Sequence, residues 1–82
     1  MKLPRDLSGP DLAKALQGLG YRVTRQTGSH MRLTSTERGQ HHVTVPAHGV
    51  LRIGTLASVL ADVAEQFGIT REELVKQLFG AG

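Results

Sequence analysis

The sequence predicts an α+β domain in which one helix precedes three antiparallel strands and two helices follow them. Three observations carry that expectation. Apolar residues recur at helical spacing near both ends of the chain, the period switches to two between Gly20 and Pro46, and glycines fall singly where the period changes. With 82 residues and no cysteine, the chain has material for one core and can form neither disulfides nor thiolate metal sites. No internal repeat, low-complexity tract or linker divides it.

The first helix is expected over residues 8–19. Ser8 is its N-cap, Asp11 the capping-box partner three residues on, and Pro10 fits the first turn. Leu12, Leu16 and Leu19 form its apolar stripe, Leu7 is placed to staple onto Leu12, and Gly20 stands where a left-handed terminator is wanted.

Beyond Gly20, Tyr21 and Val23 alternate with Arg22, Thr24 and Gln26, and Thr27-Gly28-Ser29 makes a turn before His30 to Thr34. A three-residue loop would set Gln26 opposite His30, Thr24 opposite Arg32 and Arg22 opposite Thr34, with Val23 meeting Leu33 on the other face. His41 to Val45 reads as a third strand with Val43 and Val45 turned to the core, ended by Pro46. The solvent face would then carry Arg22, Thr24, Gln26, His30, Arg32, Thr34, His42 and Thr44. Thr55 is expected to cap a helix built on Leu56, Val59, Leu60, Val63 and Phe67, stopping at Gly68. Thr70 and Glu73 form a capping box for a last short helix with Leu74, Val75, Leu78 and Phe79 on its apolar side. A three-stranded antiparallel sheet covered by helices on one face buries all of these stripes. That α-β-β-β-α order with an extra short C-terminal helix is the layout of a double-stranded-RNA-binding-domain-like fold.

The net charge of +3 is unevenly divided, since residues 1–52 carry a net +5 and residues 53–82 a net −2. A basic front half favours a polyanionic partner, nucleic acid first among them. No run approaches the ~18 apolar residues of a membrane span, and Met1 to Asp6 lack the apolar stretch of a signal peptide, so a cytoplasmic protein with no membrane partner is expected.

His30 follows Gly28-Ser29 directly, at the entry of a strand and on the polar face. An imidazole titrating near ~6.5 can take a proton from a ribose 2′-hydroxyl or give one to a leaving oxygen. Arg22, Arg25 and Arg32, with Lys2 and Arg5, are the candidate cations for phosphate. Periodicity alone also admits a surface histidine that happens to lie beside a turn. His41, His42 and His48 raise the question of a metal, but alternation sends His41 and His42 to opposite faces and no metal-ligand spacing is present, so no metal or other cofactor is expected. Gly54-Thr55 reads either as a phosphate-binding helix start or as a plain cap.

The ordered set Lys2-Leu3-Pro4-Arg5, Ser8-Gly9, Gly20-Tyr21, Arg25-Gln26-Thr27-Gly28-Ser29-His30, Val45-Pro46-Ala47-His48 and Gly54-Thr55-Leu56 resembles the HicA family of toxin ribonucleases across nearly the whole chain. The resemblance implies residues 1–82 forming one RNA-binding ribonuclease domain, the toxin of a type II toxin–antitoxin pair. It implies an mRNA interferase needing no metal, with mRNA as substrate, a cognate HicB-type antitoxin as inhibitor, and oligomers only through the antitoxin complex. It makes His30 the catalytic residue, shaped by a turn of Gly28 and Ser29, with His48 and Thr55 as looser matches. One departure stands out. Where the family often carries Lys or Glu between the Val-Pro-x-His and Gly-Thr-Leu blocks, this chain has Gly49-Val50-Leu51-Arg52-Ile53. Two other readings stay open: a non-catalytic RNA-binding module of the same fold that reads duplex shape through 2′-hydroxyl and phosphate contacts, and an interaction protein working through its acidic, apolar C-terminal half.

Overall fold

The computed structural model describes residues 3–80, so Lys2 lies outside the described residues. Helix α1 (Gly9–Leu16) tightens into a 3-10 turn (Gln17–Leu19); strands β1 (Arg22–Thr27), β2 (His30–Ser35) and β3 (His41–Pro46) follow, then helices α2 (Ile53–Phe67) and α3 (Arg71–Phe79). The strands form one antiparallel sheet in the order β1-β2-β3, with the expected α+β arrangement.

The start of α1 follows its capping signals. Asp11 N–H donates to Ser8 Oγ and Ser8 N–H to Asp11 Oδ2, both at 3.1 Å. Those bonds from the Ser8 backbone, then its side chain, hold the Asp11 carboxyl below its usual pKa. Gly20 ends the segment at φ +83°. Gly9 has a steric reason to lack a side chain, because a Cβ there would lie 1.6 Å from the Pro46 carbonyl oxygen. This close approach sets the start of α1 against the end of β3, and Leu51 N–H donating to Leu7 O at 2.7 Å holds the preceding segment there too.

Leu12 and Leu16 of α1, Leu33 of β2, Val43 and Val45 of β3, Leu56, Leu60 and Val63 of α2 and Leu74 of α3 meet in a single core between sheet and helices. β1 differs. It is an edge strand whose six residues are all exposed, and Val23, although it pairs with Leu33 as expected, stays 48% exposed because the helices do not cover that edge fully.

The hairpin corrects the expected loop. Arg22 does pair with Thr34, but the register shifts between Val23 and Arg25, so that Arg25 lies opposite Arg32, Gln26 opposite Met31 and Thr27 opposite His30. Thr24 is the extra residue of a β-bulge, and the connection shrinks to Gly28-Ser29, with Gly28 at φ +56° in the left-handed first position that two-residue hairpin turns favour.

Two caps also differ from expectation. α2 begins at Ile53 with Arg52 as an N-cap that makes no side-chain bond, leaving Thr55 inside the first turn. Thr70 Oγ1 accepts from Glu73 N–H at 3.0 Å, but only this half of the capping box forms.

Candidate active site on the open sheet face

The face of the sheet turned away from the helices is laid out in rows two residues apart, about 6.6 Å at roughly 3.3 Å per residue. Thr27, His30 and Pro46 make the first row, Arg25, Arg32 and Thr44 the second, and Arg22, Thr34 and His42 the third. The bulge at Thr24 determines which β1 side chains join them. Simple alternation would have put Gln26 on this face; with the extra residue inserted, Arg25 and Thr27 take its place.

Arg25, Thr27, His30, Arg32 and Thr44 line an open cleft of about 200 Å³. His30 is exposed, with the Ser29 hydroxyl 3.5 Å from its Nδ1. The turn that presents it is braced from β3, because Ala47 N–H donates to Ser29 O at 2.6 Å. Two guanidinium groups directly opposite each other on neighbouring strands repel, and Arg25 and Arg32 form no ion pair among the described residues. The cleft therefore carries unneutralised positive charge among the described residues.

The remaining candidates fall elsewhere. Arg22 lies one row beyond, outside the cleft lining. Arg5 and His48 are exposed, and neither lines the cleft. On the third row Thr24, Thr34 and His42 are chained by two hydrogen bonds of 2.8 Å, from hydroxyl to hydroxyl and from Thr34 Oγ1 to His42 Nδ1.

His41 turns to the opposite side, as alternation requires. Its Nδ1 lies 2.7 Å from the Tyr21 hydroxyl and its Nε2 3.1 Å from Asp62 Oδ1, which ties the start of β1, β3 and α2 together. With the imidazole neutral, Tyr21 O–H donates to Nδ1 and Nε2–H donates to Asp62. Burial, with the Asp62 charge adding to it, raises the Tyr21 phenol to a pKa of about 12. This network was not apparent in the sequence, where Gly20-Tyr21 stood out but nothing indicated the partner of the phenol. Among the described residues no three His, Asp or Glu side chains gather as metal ligands, and no helix is long and apolar enough to cross a membrane.

The result is an α-β-β-β-α-α domain consistent with the double-stranded-RNA-binding-domain-like fold, with a histidine beside a pair of arginines on its bare sheet face. The family described as "HicA toxin of bacterial toxin-antitoxin" matches residues 9–69, and the chain belongs to that toxin family. The comparison with curated proteins found no match. As the toxin of a toxin–antitoxin system, the chain has a cognate antitoxin as its partner.

Proposed function

We propose that this chain is an endoribonuclease that cleaves mRNA without a metal, working as one unit over residues 1–82, with His30 as its general acid/base. The opposed pair Arg25 and Arg32 beside His30 carries this reading, since the repulsion between them is relieved when a phosphate binds between them. In the reaction, His30 removes the proton of a ribose 2′-hydroxyl. The 2′-oxygen attacks the adjacent phosphorus, the bond from phosphorus to the 5′-oxygen breaks, and that oxygen leaves with a proton from the imidazolium or from water. One product ends in a cyclic phosphate that hydrolyses to a 3′-phosphate, and the other begins with a 5′-hydroxyl. Arg25 and Arg32 hold the scissile phosphate and offset the charge that grows on its oxygens. Arg22, Arg5 and Lys2 attract flanking phosphates, and Gly28 and Ser29 shape the turn. The inhibiting partner is a HicB-type antitoxin in the cytoplasm.

Expression of the wild type in a tolerant host is expected to arrest growth and deplete mRNA, and coexpression of the antitoxin to relieve both. The purified His30→Ala chain is expected to lose at least about a hundredfold in RNA cleavage while keeping its RNA affinity. If His30→Ala cleaves as fast as the wild type, His30 is not the proton-transfer group. If the wild type binds RNA but never cleaves it, the chain is a binding module.

A further inference from the structure

A second cleft, of about 340 Å³, opens on the same sheet face and is lined by Gly20, Arg22, Thr24, Thr34, Thr36 and Glu37. Gly20, Arg22 and Glu37 also line a recess of about 590 Å³ that continues round the β1 edge to Val23, whose side chain is 48% exposed. Neither space belongs to the His30 cleft.

Glu37 is out of place electrostatically. A carboxylate beside a face that attracts polyanions weakens phosphate binding, and Glu37 makes no ion pair among the described residues. Its carboxylate lies over the bare Gly20, where a Cβ would come within 2.6 Å of Glu37 Oε2. Its backbone N–H is tied to Ser35 Oγ at 3.3 Å. An unpaired carboxylate acceptor in a cleft that threonines also line, with an exposed apolar side chain nearby, suits the edge and ring of a nucleobase.

Resting on the ribonuclease reading, we infer that this second cleft is a base-recognition subsite in which Glu37 accepts hydrogen bonds from the N1–H and N2–H of an unpaired guanine. Guanine alone among the four bases presents two adjacent donors that one carboxylate can accept together. Thr34, in this second cleft, is four residues along β2 from His30, about 13 Å at roughly 3.3 Å per residue, the reach of about two nucleotides of extended strand. The guanine read by Glu37 thus lies about two nucleotides from the bond that is cut.

The test digests a random-sequence RNA pool with the purified chain and sequences the product ends. The wild type is expected to favour guanine at one position about two nucleotides from the cut by at least about fivefold. Glu37→Gln should bring that preference close to parity, and Glu65→Gln, on α2, should leave it as it is. A wild type with no preference there, a Glu37→Gln chain with the preference intact, or one that loses cleavage on all sequences alike overturns the subsite. A wild type that cleaves nothing overturns the ribonuclease reading instead, so the two failures are told apart.

Discussion

Tyr21 shows how much a single residue can commit in a small core. Its ring is fully buried, its hydroxyl has one partner, His41, and through it the phenol is linked to Asp62 on α2. Tyr21→Phe keeps the ring and removes the donor, leaving His41 Nδ1 unpaired at a part-buried site, a loss of about 1–2 kcal/mol at neutral pH. The pH dependence is more specific. The folded-state pKa of about 12 lies above the ordinary 10, so the folded chain keeps a proton that the unfolded chain has released. The stabilisation is complete below pH 10 and is lost as pH rises from 10 to about 12. Chemical denaturation of both chains across that window should show the wild type losing its advantage over Tyr21→Phe. A constant difference would mean that the buried phenol does not titrate as its surroundings require.

Among the elements, β1 is the one built against its own stability. Its bulge places Arg25 opposite Arg32, where like charges cost a few tenths to about 1 kcal/mol relative to a neutral pair. Arg25→Gln should therefore stabilise the fold by that amount in a denaturant titration while weakening RNA binding; a loss of stability would show that the two guanidinium groups do not oppose each other. Where a sequence breaks a local rule in this way, function is the usual reason.

β1 also marks the limit of what could be read from the chain. The element order and types, the α1 capping box, the pairing of Arg22 with Thr34 and the inward Val43 and Val45 were all legible, because each leaves a periodic or capping mark. The bulge was not, since a strand exposed at all six positions has no inside and outside for alternation to report, and an inserted residue shifts nothing visible. The start of α2 was misplaced for a related reason. Thr55 has the side chain of a cap, whereas the chain turns at Arg52 with no side-chain bond to announce it. His30 stood out in the sequence through its glycine-serine turn and family motif, but the arginine facing Arg32 across its cleft could be identified only once the bulge was known.

At the scale of the whole molecule, the uneven charge of the sequence becomes a division between faces. Arg22, Arg25 and Arg32 stand on the bare sheet face, while Asp62, Glu65, Glu72 and Glu73 belong to the helices, which pack on the other side of the sheet. A polyanion approaching such a particle is turned toward the sheet before any specific contact forms. The consequence is measurable as counterion release. The scissile phosphate at Arg25 and Arg32 and a flanking phosphate at Arg22 contribute about −1.4 to the log–log slope of affinity against salt on a single strand, at roughly −0.7 per contact. Binding of an unstructured RNA to the His30→Ala chain, in which turnover is expected to be lost with those arginines in place, should show at least that slope, and Arg22→Gln should reduce it by about 0.7. Loss of an acidic helix residue, as in Glu65→Gln, should leave it unchanged, because that side chain faces away from the bound strand. A flat salt response would remove the phosphate contacts from the sheet face, and a slope that follows Glu65 and not Arg22 would place the RNA on the helical side.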